Sequence, residues 1–352
     1  MFLSTQLKVS VLSVLVLLLG CGTFAQYKRT DLVTDTGTGG TLADPSLVNA
    51  WGLTANPGSP FWVSDNITGK STLYTAAGQK VPLTVTIPGA NGGQGSPTGI
   101  VGNTTSDFVL HDGAANPGKP AVFIFATLDG AIIGWNGGTL ATVVATSTDG
   151  ASYTGLAIAS SNGHNFLYAA DGGPNRKIDV YGGDFKPAAD LGPDAFVDPK
   201  IPNNFTPYGI QTVTAPDGTD TVWVTYTALN KAQGGFVDAF TTAGVLKRHF
   251  AVHGPLHSPW GIALAPADFG PMSNALLITN NIARGRINAF DPQNGTFLGP
   301  LRDASGQPIE IDGLWGIQFG HDGGPNGAHN QLFFTAGPTN YGNGIFGVIT
   351  VD

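Results

Sequence analysis

Three observations predict an all-β chain folded as a six-bladed β-propeller, with four antiparallel strands per blade. A five-residue phrase built around a Gly recurs six times along the 352 residues. Gly supplies 51 residues, about twice the average usage. Of the 24 acidic residues, Glu310 is the sole Glu. Long helices favour Glu, Lys, Ala and Leu and lose roughly 1 kcal/mol at each Gly, so a helical bundle or coiled coil is excluded. With 41% hydrophobic and 10% aromatic residues the chain can bury a core, which excludes disorder.

The phrases are Asn49-Ala-Trp-Gly-Leu53, Ser96-Pro-Thr-Gly-Ile100, Ser152-Tyr-Thr-Gly-Leu156, Thr206-Pro-Tyr-Gly-Ile210, Ser258-Pro-Trp-Gly-Ile262 and Gly313-Leu-Trp-Gly-Ile317. Each opens the same series of elements. A short apolar strand follows the Gly. A second strand is expected at Phe61-Trp-Val63, Phe108-Val-Leu110, Phe166-Leu-Tyr168, Val222-Trp-Val224, Leu276-Leu-Ile278 and Leu332-Phe-Phe334. After a polar loop, a third strand ends in an aromatic, as at Leu73-Tyr74, Val122-Phe-Ile-Phe125 and Phe236-Val-Asp-Ala-Phe240. A Gly turn then leads to a fourth strand. Period-2 alternation between turn residues is the strand signal, and one such unit cannot bury its faces alone, so the ring must close. The sixth unit runs out at Asp352 after its third strand, Ile345 to Val351. Tyr27 to Thr34, which precedes the first blade, is therefore expected to complete blade six.

Residues 1–25 read as an export signal: Lys8 is the only charge before Lys28, and Val9 to Leu19 is apolar or small throughout. Two processing sites compete. Thr23-Phe24-Ala25 before Gln26 is a small-x-small site, whereas Leu18-Leu19-Gly20-Cys21 has the form of a lipobox that would place a lipid on Cys21. Cys21 is the only cysteine, so no internal disulfide can form. No later segment is long and apolar enough to span a bilayer. Residues 26–352 are expected to form one propeller, exported and either released or lipid-anchored, and monomeric. The net charge is −8, and loss of Lys8 with the signal makes it −9. An acidic, Lys/Arg-poor chain argues against nucleic acid and suits neutral ligands or cations.

The repeat resembles that of NHL-type propellers, which reads roughly P-x-G-I, a strand, V-A-D and a strand ending in an aromatic. More narrowly, Asp31-Leu-Val-Thr-Asp35 followed by Asp44 to Leu53 and Phe61 to Tyr74 resembles a family of exported bacterial proteins of unknown activity. Some of its members carry a C-terminal PEP-CTERM sorting tail. The resemblance implies a propeller and export, and it implies no activity.

The repeat predicts which residues share one mouth of the central channel. The residue before each Gly enters the innermost strand there, giving Trp51, Thr98, Thr154, Tyr208, Trp260 and Trp315. The turn after the second strand returns there, giving Asp65, Asp112, Asp171, Tyr226, Asn280 with Asn281, and Ala336. Trp51, Tyr208, Trp260 and Trp315 would form a stacking half, and Asp65, Asp112 and Asp171 an acidic half. Flat rings beside carboxylates suit a small neutral ligand such as a carbohydrate. The opposing expectation is that the Trp side chains wedge between blades and that each Asp caps its own turn. Convergent oxygens also suit Ca²⁺, or with histidine Zn²⁺; the candidate ligands are Asp65, Asp112, Asp171, Asn281 and His257. His249, His253 and His257 are spaced as on one helix face, but Gly254-Pro255 forbids a helix, so they are expected on the connector into Trp260.

No known motif for catalysis survives inspection. Ser64 to Ser71 nearly matches a phosphate loop but has Ser where the first Gly is needed, and it lies between strands. H-E-x-x-H is absent, since the sole Glu, Glu310, follows Ile309, and one Glu cannot form a paired-Glu glycosidase site, though a pair of Asp could. The favoured reading is a non-catalytic ligand-binding or interaction module with its site at the channel mouth. The alternative is a metal-dependent hydrolase, lactonase or lyase using the channel. A surface module with a protein partner on the blade faces is a third.

Overall fold

Each repeat phrase forms the innermost strand of a blade in this computed structural model, which describes residues 26–188, 191–192, 194–229 and 234–352. The proposed signal, with Cys21, lies outside the described residues. Blade one comprises Ala50–Thr54, Phe61–Asp65, Lys70–Tyr74 and Lys80–Thr86, paired antiparallel in that order. Blade four comprises Phe205–Thr214, Asp220–Ala228, Phe236–Phe240 and Leu246–Val252, and blade five Pro259–Leu264, Leu276–Asn280, Ile287–Phe290 and Phe297–Pro300. Blade three shows Tyr153–Ser161, His164–Asp171 and Ile178–Gly182, with an isolated antiparallel bridge from Tyr181 to Pro187 beyond them among the described residues.

Blade two departs from the expected count. Its strands are Pro97–Gly102, Phe123–Thr127, Ala131–Trp135 and Thr142–Thr146. The expected second strand at Phe108-Val-Leu110 instead lies in an excursion between the first two strands, and Val122 to Phe125 belongs to the second strand rather than the third. Phe108 and Leu110 are apolar because they seal the gap between blades two and three; the Phe108 amide donates to the Gly183 carbonyl at 2.7 Å. Buried apolar residues in a loop have the same composition as a short strand.

Blade six is closed as expected. Leu314–Phe319, Leu332–Ala336 and Ile345–Val351 are completed by Tyr27–Thr34, running from the Tyr27–Val351 pair to the Thr34–Ile345 pair. A two-residue strand, Leu42–Ala43, adds in parallel outside it. Tyr27 anchors this closure. Its hydroxyl donates to the Phe269 carbonyl at 2.7 Å and accepts the Met272 amide at 2.9 Å, and burial pushes the phenol up to about 12.

Six apolar clusters fill the ring, one in each gap between neighbouring blades. Toward the axis the blades are too close for side chains. A Cβ on Gly52 would overlap the Thr98 carbonyl, one on Gly99 the Leu156 amide, and one on Gly209 the Trp260 carbonyl; on Gly261 it would lie 2.6 Å from the Trp315 carbonyl. Hydroxyls stitch the same contacts. Thr279 Oγ1 accepts the Gly261 amide at 2.7 Å and donates to the Trp315 carbonyl at 2.8 Å. Thr335 Oγ1 does the same between the Gly316 amide and the Trp51 carbonyl, at 3.0 and 2.6 Å.

Gly209→Ala is therefore expected to cost about 3 kcal/mol or more, because two rigid backbones would have to part. Gly93→Ala, with no atom within 4 Å of the new Cβ, should stay within about 0.5 kcal/mol. Urea unfolding of both variants measures this; equal costs would remove backbone contact as the reason for the ring glycines.

Candidate functional site

The mouth positions follow from strand register. Facing each phrase across the first strand pair stand Asp65 (opposite Ala50), Thr127 (Pro97), Asp171 (Tyr153), Tyr226 (Pro207), Asn280 (Pro259) and Ala336 (Leu314). Asp112 is not among them. Because the second strand of blade two begins at Phe123, Thr127 takes that place, and Asp112 and His111 lie exposed on the excursion.

The aromatic half of the mouth is packed on itself. Trp51 and Trp315 stack with centroids 3.7 Å apart, and Trp260 meets Trp315 edge-on at 5.8 Å. All three are buried. The Trp315 indole N–H donates to Asn49 Oδ1 at 2.9 Å and that of Trp260 to the Thr154 carbonyl at 2.9 Å. These rings fill the axis of the propeller, and Tyr208 and Tyr341 pack over them half-exposed.

The acids do not converge on the channel. Asp171 caps its own turn: Oδ1 accepts the Ser152 and Gly173 amides, both at 2.8 Å, and Oδ2 accepts Asn175 Nδ2 at 3.1 Å. Asp65 is fully buried, and neither of its oxygens has a hydrogen-bond partner among the described residues. Burial drives its pKa well above the carboxylate range and nearby Asp44 adds to this, against the pull of Thr72 and Lys80. A metal site uniting Asp65, Asp112 and Asp171 therefore has no support from their positions.

What lies open at the mouth is a cavity of about 420 Å³. Thr206, Tyr208, Thr227, His257, Asn281 and Tyr341 are among its lining residues. Asn281 is its hub: Oδ1 accepts the Tyr208 hydroxyl at 3.1 Å and the Tyr341 hydroxyl at 2.8 Å, while Nδ2 donates to the Leu314 carbonyl at 3.3 Å. Thr206 Oγ1 is buried and has no partner among the described residues.

A second cavity of about 740 Å³ adjoins the first, sharing His257 and Ile282. Arg284, Arg286, Arg302 and His253 line it. These are three of the six arginines of the chain. Glu310 offsets part of the charge, accepting from Arg284 and, at 2.6 Å, from Arg286 Nη2, and these arginines hold its carboxyl below the usual range. Arg302 donates to the Gly306 carbonyl at 2.8 Å. The sequence reading missed this cavity. Its signal was present, since three of six arginines fall within residues 284–302 of an otherwise cation-poor chain.

The three spaced histidines divide between two places. His253 and His257 line the cationic cavity, as their place on the connector implies. His249 does not lie on the connector; it sits on the fourth strand of blade four. Its Nδ1 lies 2.8 Å from both Asp198 Oδ2 and Asp238 Oδ1. Burial first, then Asp198, pushes the Asp238 carboxyl up to about 7.

Asp65→Asn tests the buried acid. A folded-state pKa raised above the unfolded value near 3.9 gives stability that is present below about pH 4 and lost as pH rises. The stability of the variant relative to the native chain should therefore grow steadily between pH 4 and 8 in urea titrations. A flat difference would mean that Asp65 finds a partner in the folded protein.

No protein-family model matches the chain. Two uncharacterised proteins of Acanthamoeba polyphaga mimivirus are similar to it. One is 29% identical over 88% of this chain and 76% of its own length, the other 27% identical over 93% and 87%. Among solved structures, a gluconolactonase from Xanthomonas campestris superimposes with a TM-score of 0.50 at 14% identity, covering 87% of each chain. A Thermus thermophilus protein assigned as an oxidoreductase of the glucose dehydrogenase type gives 0.51 at 13% identity, over 92% of this chain and 99% of its own. At these identities the structural matches establish a shared β-propeller fold.

Proposed function

We propose that the chain is an exported ligand-binding propeller whose site is the composite cleft over blades three to six, and that its ligand is a polyhydroxylated molecule carrying an anionic group, such as an acidic sugar. One observation carries this reading: the hydroxyl-lined mouth cavity continues, through His257, into a cavity holding half of the arginines of an acidic protein. Both volumes fall in the range of small-molecule sites. The hydroxyls of Tyr341, Thr227 and Ser258 line the mouth cavity and suit sugar hydroxyls. Arg302, which has no carboxylate partner among the described residues, together with the partly neutralised Arg284 and Arg286, suits a carboxylate, because guanidinium groups bind such anions in bidentate fashion. The buried tryptophans then serve as the floor of the cleft rather than as its stacking surface.

Calorimetric titration with glucuronate-containing and neutral oligosaccharides of equal length tests this. The acidic series is expected to bind more tightly. Arg302→Ala should weaken it about 10- to 100-fold, in keeping with loss of a charge-assisted contact of roughly 1.5–3 kcal/mol. Equal affinity for both series, or an unchanged affinity in Arg302→Ala, would overturn the reading. The alternative, a hydrolase, lactonase or lyase acting at the channel, retains His257 and Asn281 together on the mouth cavity. Turnover of a lactone and ester panel that is lost in His257→Ala would favour it.

Export has its own test. Expressed with its full N-terminus in a bacterium, the chain should appear outside the cytoplasm with Gln26 as its first residue, or with a lipidated Cys21. Intact-mass measurement distinguishes the two, and an uncleaved cytoplasmic chain would remove export from the proposal.

A further inference from the structure

Blade four contains a polar group that neither the cleft nor the folding of the ring explains. We propose that Asp198, Asp238 and His249 form a binding site for a divalent transition-metal ion of the Zn²⁺ type in the gap between blades three and four. Asp238 lies on the third strand, and His249 is its partner across to the fourth. Asp198 reaches the same point from the segment preceding the blade, where the Lys200 amide donates to its Oδ1 at 2.8 Å. One ligand atom from each of the three residues lies within 4.8 Å of the others.

Two independent features point to a cation. The first is an unmet demand. Both carboxyl side chains are fully buried, and apart from the 2.8 Å approach of His249 Nδ1 to Asp198 Oδ2, Asp198 Oδ2 and Asp238 Oδ2 have no hydrogen-bond partner among the described residues. His249 Nδ1 lies against both carboxylates, yet one ring nitrogen carries at most one proton and can donate to only one of them. With both carboxylates ionised, one imidazolium leaves a net negative charge in the gap. A divalent ion with two carboxylates and a neutral imidazole balances to zero, and His with Asp is an established donor set for Zn²⁺.

The second feature is an internal comparison. Blade one has the same Asp-Pro lead-in, Asp44-Pro45, where the Ser46 amide donates to Asp44 Oδ1 at 3.1 Å. There Asp44 Oδ2 is met by the Tyr74 hydroxyl at 2.6 Å and by Lys80 Nζ at 2.7 Å, so a permanent cation from the fourth strand completes the group. In blade four the third strand places a second carboxylate, Asp238, where blade one has Thr72, its cross-strand partner is His249, and Leu246 stands at the register position of Lys80. The lead-in Asp198 therefore meets His249 rather than a lysine ammonium.

Zn²⁺ bonds of about 2.0–2.2 Å place donor atoms roughly 3.3 Å apart, so the 2.8 Å contacts need to open by only about half an ångström. The Tyr226 hydroxyl beside Asp238 would orient that carboxylate, as outer partners of metal ligands do. A cavity of about 540 Å³ between Ile178, Pro187 and Ile201 is lined by Asp198 and supplies an entry path.

The test uses residues 26–352 purified without chelator and then dialysed against Zn²⁺. Elemental analysis should find one Zn²⁺ per chain. Zn²⁺ at a hundredfold excess over its Kd should raise the Tm by about 5 °C relative to EDTA-treated protein. Asp238→Asn and His249→Gln should lose both effects, whereas Arg302→Ala in the cleft should keep them. Because either ligand variant could misfold, Co²⁺ added to the native chain provides a second reading, with visible absorption bands of low-symmetry Co²⁺ expected. Absence of bound Zn²⁺ and of Co²⁺ bands in the native chain, or a Zn²⁺-dependent Tm rise that persists undiminished in Asp238→Asn and His249→Gln, would overturn the proposal.

Discussion

The contact of Gly209 with the Trp260 carbonyl, repeated around the axis at Gly52, Gly99, Gly155, Gly261 and Gly316, sets the radius of the ring. With no Cβ at these positions, neighbouring inner strands approach until backbone meets backbone. The side chains just before the glycines are then forced inward together. Trp51, Trp260 and Trp315 occupy the axis because the ring there is narrow, and their stacking makes the centre of the propeller a packed core. The hydroxyls of Thr279 and Thr335 satisfy the Trp315 and Trp51 carbonyls that the close approach would otherwise leave bare. Where the second strand carries Ala126 instead, Thr98 on the inner strand supplies the hydroxyl and reaches the Tyr153 carbonyl at 2.7 Å.

This plug determines where chemistry can take place. With Trp51, Trp260 and Trp315 buried against one another at the axis, the open surface near it is the cavity at the mouth and the adjoining cavity on blade five. The face is built by turns and connectors: the segment from His253 to Ser258, the turn holding Arg284 and Arg286, and the loop after Pro300. Such segments tolerate substitution without disturbing the strands. The division is consistent with the charge distribution. Acidic residues are spread as turn caps, such as Asp171, Asp291 and Asp303, which bind their own backbone amides. Half of the arginines, by contrast, are concentrated at one place.

The ring was legible in the sequence because its geometry imposes a residue type at a fixed place in every repeat. Gly at the fourth position of each phrase, and the closing strand Tyr27–Thr34, could be read without coordinates. Asp112 was misplaced because Phe108-Val-Leu110 is as apolar as a strand, and only pairing distinguishes a strand from a loop pressed into a gap between blades. The aromatic half was placed correctly around the ring, but its burial depends on the ring radius, which no sequence spacing reports. The arginine cavity and the Asp198, Asp238 and His249 group draw on residues 40–50 positions apart or on different strands, brought together by register rather than by a motif.

Repetition also provides a reference that a single sequence rarely offers, since each blade is a control for the others. Six copies of one architecture must each satisfy the same backbone, so a departure in one copy is not needed for the fold in the others. Blade one resolves its buried lead-in aspartate with Tyr74 and Lys80, which shows that this architecture can neutralise such a carboxylate with side chains alone. Blade four keeps the lead-in aspartate but meets it with His249, whose Nδ1 also faces the second buried carboxylate, Asp238. Blade one too buries a second carboxylate, Asp65, but there the lead-in Asp44 has its own lysine, so what sets blade four apart is that two carboxylates converge on one imidazole, an arrangement that a bound cation would complete.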